Sequence, residues 1–231
     1  MNLGNDTVKN KSGKTAAIIG ATGMIGKYLQ EALYKDERFD TVRLIVRRPM
    51  EKPHPKAEVK LVDFNDAESV KLALEDVNIV FSCIGTTQKN VKGDKALYRR
   101  IDLEIPERVA KYAYEAGAEA FAMVSSVGAD ASSRNFYLRL KGEAENAVIA
   151  SSIPSIHIMR PSMLLGHRDE QRPGEGFLQS ATKAVSGLLF GSWKKYRAIH
   201  GRTVAQAMIN AALSGKQGVH WYHWEEMEGN V

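Results

Sequence analysis

The stretch TAAIIGATGMIGKYLQEALY, residues 15–34, decides how the rest of the chain is read. It opens on a short apolar run that ends in glycine, and from Met24 onward Ile25, Leu29, Ala32 and Leu33 recur at helical spacing. That pattern is a strand, a glycine turn and a helix. The turn holds Gly20, Gly23 and Gly26 in a G-x-x-G-x-x-G array. The first glycine permits the tight turn, the second lets a pyrophosphate approach the backbone, and the third lets helix and strand pack closely. Free N–H groups and the positive dipole end of the helix face the anion. Thr22, Met24 and Ile25 lie in the same turn and join the glycines as candidate cofactor contacts. Glycine-rich turns also occur without a ligand, but this one sits between a first strand and a first helix, the context that marks a dinucleotide fingerprint.

Outward from the turn the pattern repeats. Residues 42–46 (VRLIV) form a second strand; Pro49, Pro53 and Pro55 then exclude regular structure until residues 59–62 (VKLV) supply a third. A short amphipathic helix over 67–74 precedes a buried strand over 77–84, a long helix over 94–116 with Pro106 inside it, and a strand over 120–124. A helix over 136–150 and a sixth strand over 156–159 follow. Ile- and Val-rich strands alternating with amphipathic helices predict an α/β fold, a doubly wound parallel sheet of Rossmann type. Beyond Pro161 the segment 166–176 is charged and loop-like; helices over 177–189 and 203–213 follow, and a strand over 219–222 is placed to close the sheet. No linker or repeat divides the chain. The expected organisation is a polar arm over 1–14 and a single domain over 15–231, in which 161–231 form a small lid on the substrate side.

The formal net charge is +5, of which the arm carries +2 and residues 46–60 carry +3, so the remainder is neutral. Two local positive features do not make the broad basic face that duplex nucleic acid requires, and no nucleic-acid partner is expected. Cys83 is the lone cysteine and cannot form an internal disulfide, which fits a reducing compartment. The sequence shows neither an apolar leader nor a span of about 20 apolar residues, and the expectation is a cytoplasmic protein without a membrane partner.

At the end of the second strand, where an acidic residue would hydrogen-bond the ribose hydroxyls of NAD, the chain reads Arg47-Arg48-Pro49. Two guanidiniums there suit the 2′-phosphate of NADP(H), although a solvated basic loop would look the same. Asp63 and Phe64 follow the third strand and can reach the adenine, while Cys83, Ile84 and Gly85 lie where ligands of open sheets gather, at the end of the fourth. Cys83 reads as a small buried hydrophobe there and not as a nucleophile. The fifth strand ends in Ser125-Ser126, and the next helix opens on Tyr137 with Lys141 four residues on, which puts both side chains on one helical face. An ammonium beside a phenol favours the phenolate, so Tyr137 is a candidate general acid or base, and a strand-end serine can hold a substrate oxygen.

This order of motifs resembles the short-chain dehydrogenase/reductases, and within them the atypical group. GATGMIG, RRP, FSCIGTT, SSVGADASSRNFYLRLKGEAE and above all MRPSMLLGHRDEQRPGE are similar to the Tat-interacting-protein-like oxidoreductases, over residues 15–213. The resemblance implies that Arg47 and Arg48 hold the 2′-phosphate, that Tyr137 and Lys141 serve the nicotinamide ribose and the proton chemistry, and that Leu164 and Arg172 cover the nicotinamide. Ser126 or Ser125 completes the substrate clamp. One departure concerns the helix before the fifth strand, where an Asn is usual and Asp102 is the nearest candidate. The activity so implied is NADP(H)-dependent hydride transfer to a carbonyl or conjugated carbonyl, with Tyr137 giving the proton to a small-molecule substrate. The alternative is a redox sensor that binds NADP(H) without turnover. A homo-oligomer is left open.

Overall fold

The computed structural model describes residues 13–166 and 191–229. Seven strands form one sheet, all neighbours parallel, in the order β3-β2-β1-β4-β5-β6-β9. They are β1 (Lys14–Ile19), β2 (Phe39–Val46), β3 (Ala57–Leu61), β4 (Ile79–Ser82), β5 (Ala120–Val124), β6 (Ser155–Met159) and β9 (Gly218–Tyr222). A separate parallel pair joins β7 (Leu164–Leu165) to β8 (Ile199–His200). The helices are α1 (Met24–Lys35), α2 (Ala67–Leu74), α3 (Lys95–Arg99), α4 (Ile105–Glu115), α5 (Phe136–Ile149), α6 (Gly201–Ala212) and α7 (Trp224–Glu228). The doubly wound parallel sheet is therefore present, with β9 as a seventh strand beside β6.

Alternate residues of β1 show why the sheet is covered twice, since successive strand side chains point to opposite faces. Ala16 and Ile18 join Leu29 and Leu33 of α1 and Val204 and Met208 of α6 in one core. Ala17 and Ile19 join Leu74 of α2, Val109 of α4 and Leu140 of α5 in the other. The chain leaves β1 toward β2 on one side and returns to β4 on the other, so a crevice opens at the C-terminal ends of β1 and β4.

Several boundaries differ from the sequence reading. β1 takes in Lys14, because the Lys14 amide bonds the Arg38 carbonyl, and β2 begins at Phe39. β4 is shorter than the apolar run around it and begins after Asn78, whose backbone bonds Thr15 and Glu119 while its side chain accepts the Thr15 amide. The expected long helix is three pieces: α3, a π-helical turn (Arg100–Glu104) and α4. Pro106 has no N–H to donate into an α-helical ladder, and the Ile105 amide instead bonds the Arg100 carbonyl five residues back. A 3-10 helix (Gly191–Tyr196), β7, β8 and α7 carried no periodic signal in the sequence. The helix expected over 177–189 lies outside the described residues.

Candidate active site

The glycine turn has the geometry a phosphate cradle needs. Gly20 has φ +79°, and a Cβ on it would fall 2.6–2.8 Å from backbone atoms of Cys83 and Ile84. A Cβ on Gly26 would lie 2.3 Å from the Gly20 carbonyl oxygen, so helix and turn touch only because that position is bare. Gly23 is different: its Cβ would meet only the Gly20 oxygen, at 3.3 Å. It is the N-cap of α1, with extended backbone and no side-chain cap, so the first N–H groups of α1 point outward without an internal acceptor from that residue. Thr22 and Gly23 are exposed, Met24 is half-buried, and the Ile25 side chain belongs to the core, leaving its backbone for a ligand. Gln30, buried on α1, donates to the Ala21 carbonyl at 2.8 Å and ties the turn down, a role that no motif announced.

A cavity of about 560 Å³ lies between the ends of β2 and β3 and the helical pieces α3, the π turn and α4. Arg47, Asp63 and Phe64 line it; Arg48 is exposed and does not. Phe64 is buried, and its carbonyl accepts a hydrogen bond from Arg108, while Asp63 is held in its turn by Asn65. Arg100 also lines the cavity, a further cation that the sequence reading missed because it lies on a helix with no motif. Cys83 and Ile84 are half-buried against the glycine turn, and desolvation pushes the Cys83 thiol up, which disfavours its thiolate.

At the ends of β4 and β5 the remaining residues converge. Asn135 caps α5 by accepting from the Tyr137 and Leu138 amides, which sets Tyr137, 38% exposed, in the first turn. Lys141, one turn on, is buried, and its Nζ lies 2.9 Å from Asp102 Oδ2. Burial would lower the Lys141 pKa, but the charges of Asp102 and Tyr137, the hydrogen bond to Asp102 and the charge of Glu145 outweigh it and hold it above the ordinary lysine value. A Cβ on Gly85 would sit 3.7 Å from Lys141 Nζ, so the loop after β4 runs directly past this ammonium. α5 itself is held close to the loop before it by Gly142, whose absent Cβ would fall 2.2 Å from the Ala131 nitrogen.

The two serines are not equivalent. Ser125 donates to the buried Glu145 carboxylate, which also receives Arg160 (3.0 and 2.5 Å) and the Trp221 indole N–H (3.2 Å). Among the described residues the Ser126 hydroxyl makes one long bond, 3.3 Å, to the Val127 carbonyl. The MRPSMLLG segment thus contributes Arg160 to the support of β5, while Leu164 packs on the core shared by α1 and α6. Gly166, at the end of that segment, approaches Met24 and Tyr28 of α1. Arg172, expected over the nicotinamide, lies outside the described residues.

The fold and the turn define a dinucleotide-binding protein, and the model of the NAD(P)H-binding family matches residues 20–214. The chain belongs to that family, and within it to the atypical short-chain dehydrogenase/reductases, a group of NAD(P)-binding oxidoreductases. Among similar proteins, HTATIP2 of Rattus norvegicus is 32% identical over 208 residues, covering 89% of this chain and 84% of its own. "Protein FMP52, mitochondrial" of Debaryomyces hansenii is 33% identical over 201 residues, covering 86% and 87%. The Bordetella bronchiseptica enzyme WbmH, solved with NAD+, shares the fold with a TM-score of 0.69 at 15% identity, over 91% of this chain and 76% of that one. These relatives also correct the cytoplasmic expectation, since the fungal ones carry "mitochondrial" in their names. A single cysteine and the lack of an apolar span are compatible with any reducing compartment, and so could not tell one from another.

Proposed function

We propose that this chain is an NADP(H)-dependent reductase that passes hydride to a carbonyl or conjugated carbonyl, with Tyr137 as proton donor. The observation that carries this reading is the state of the two serines and of the helix that follows: Ser125 is committed to Glu145, the Ser126 hydroxyl makes one long bond, and an exposed Tyr137 lies one helical turn before a buried, charged Lys141. The residues present fit a dinucleotide. Gly23 leaves room over an uncapped helix end for a pyrophosphate, and the cavity beside Arg47 has the size and the lining for an adenosine with a 2′-phosphate.

A nicotinamide cofactor supplies the hydride when bound. The chain's own residues do the rest. Gly20 to Gly26 and the first N–H groups of α1 hold the pyrophosphate; Arg47, with Arg48 beside it, answers the 2′-phosphate; Asp63 and Phe64 border the adenine. Ser126 donates a hydrogen bond that orients the carbonyl oxygen, and the Tyr137 hydroxyl gives its proton to that oxygen as charge develops there. Lys141 stabilises the phenolate left behind until the proton is replaced from solvent.

Calorimetry with NADPH and NADH tests the cofactor half of this reading. NADPH is expected to bind more tightly, by about 1.5–3 kcal/mol for each charge-assisted bond to the phosphate. Equal dissociation constants would reduce Arg47 and Arg48 to solvated surface.

A further inference from the structure

We infer that Asp102 is a positioning residue for Lys141: from the π-helical turn its carboxylate holds the lysine ammonium with one oxygen and the loop after β4 with the other. Asp102 Oδ2 lies 2.9 Å from Lys141 Nζ, and Oδ1 accepts the Thr86 amide at 2.8 Å. The Asp102 side chain is 0% exposed and that of Lys141 6%, so the pair is made inside the protein and owes nothing to solvent. The Thr86 carbonyl accepts in turn from the Tyr98 hydroxyl of α3, so Thr86 is held at both its amide and its carbonyl.

The π turn is what aims this carboxylate. An α-helix rotates about 100° per residue, so one extra residue in the turn resets the phase between α3 and α4 and determines which side chain of RIDLE faces α5. An exposed acid on a regular helix could not do this. A lysine buried without a partner gives up its proton, and a carboxylate buried without one takes a proton up; together they stay charged. The other groups facing Lys141 do not replace Asp102. On α5 these are Tyr137 and Glu145; Glu145 acts less strongly on Lys141 than Asp102 does and is itself paired with Arg160 from the end of β6. From the β4 side come Gly85 and Thr86, which bring no charge. Asp102 therefore sets the place and the charge of Lys141 before any cofactor arrives.

The consequence for NADPH rests on the function proposed above, whereas the ion pair can be tested without it. The full-length protein labelled with [ε-13C]lysine is titrated by NMR, the Lys141 signal being assigned by its loss in Lys141→Met. Asp102→Asn keeps the size of the side chain and an acceptor for the Thr86 amide. It should move the Lys141 midpoint down by about two pH units or more, while the wild-type lysine stays an ammonium across the neutral range. NADPH affinity, measured by calorimetry on the same proteins, should weaken about tenfold as pH rises through the new midpoint in the variant and stay level in the wild type. An unmoved Lys141 midpoint overturns the inference. A moved midpoint with NADPH bound by neither protein upholds the role of Asp102 and removes the NADP(H) reading instead. Should Asp102→Asn not fold, the melting of Lys141→Met decides: adding Asp102→Asn should restore part of its lost stability, and a double variant no more stable than the single one overturns the inference.

Discussion

Ser125 and Ser126 stand next to each other at the end of β5 and have different tasks. Ser125 is one of the donors that saturate the buried Glu145 carboxylate, so Ser125→Ala should cost about 1.5–3 kcal/mol of stability, as expected for a hydrogen bond to a charged group, and leave turnover per folded molecule largely intact. Ser126 has no such commitment, so Ser126→Ala should melt like the wild type and lower kcat on any substrate found. Denaturant unfolding beside steady-state rates separates the two, and the reverse pattern would reassign the serines. The arginines divide in the same way. Arg47 lines the cavity and Arg48 does not, so Arg47→Ala should weaken NADPH binding by more than Arg48→Ala, with NADH barely affected by either; calorimetry on both variants checks the order.

At the level of elements, the glycine turn separates folding from binding. Gly26 has no room for a Cβ, so Gly26→Ala should disrupt the packing of α1 on β1 and lower the melting temperature sharply. Gly23 meets only one atom, at 3.3 Å, so Gly23→Val should keep a near-native far-UV circular dichroism spectrum and lose both dinucleotides, because the new side chain occupies the phosphate's approach. Loss of fold in Gly23→Val would contradict that assignment. This turn was legible because strand, turn and helix are contiguous and each glycine answers a local demand. The strands over 42–46 and 120–124 were legible for the same reason: their apolar runs are bounded by turn residues. The π turn was not. Pro106 signals a break, yet whether a helix kinks, stops or widens there depends on what packs against it, and Asp102 acquires its partner from a helix distant in the chain. The choice between Ser125 and Ser126 was hidden likewise, since it turns on Glu145 and Arg160 meeting in space. The segment 166–176 carried charge and no periodicity, and Arg172 within it stays an expectation drawn from resemblance.

For the whole molecule, His157 ties the central sheet to its last strand. Its ring lies between Ser155 (2.8 Å) and the Tyr222 hydroxyl (3.0 Å) and is fully buried. Burial first, then the charges of His220 and Lys216, lower its pKa to about 4. The folded state therefore keeps this histidine neutral where the unfolded chain, with a value near 6.5, already binds a proton. Stability from this group is complete above that unfolded value and is lost as pH falls toward 4, by at most about 3 kcal/mol. His223, also lowered chiefly by burial, acts in the same direction. Urea midpoints of wild type and His157→Asn should differ most near neutral pH and converge toward pH 4; a constant difference would show that His157 does not titrate with unfolding. The proposed function makes the Tyr137 phenol the proton donor at the end of the sheet. The most direct test follows the loss of NADPH absorbance with aldehydes, ketones, quinones and enones, for wild type and Tyr137→Phe side by side. Turnover that falls by about 10² to 10⁴-fold in Tyr137→Phe, with NADPH affinity unchanged, is the predicted result. Equal turnover in the two proteins would contradict the mechanism, and tight NADPH binding with no turnover across the panel would make the chain a redox sensor.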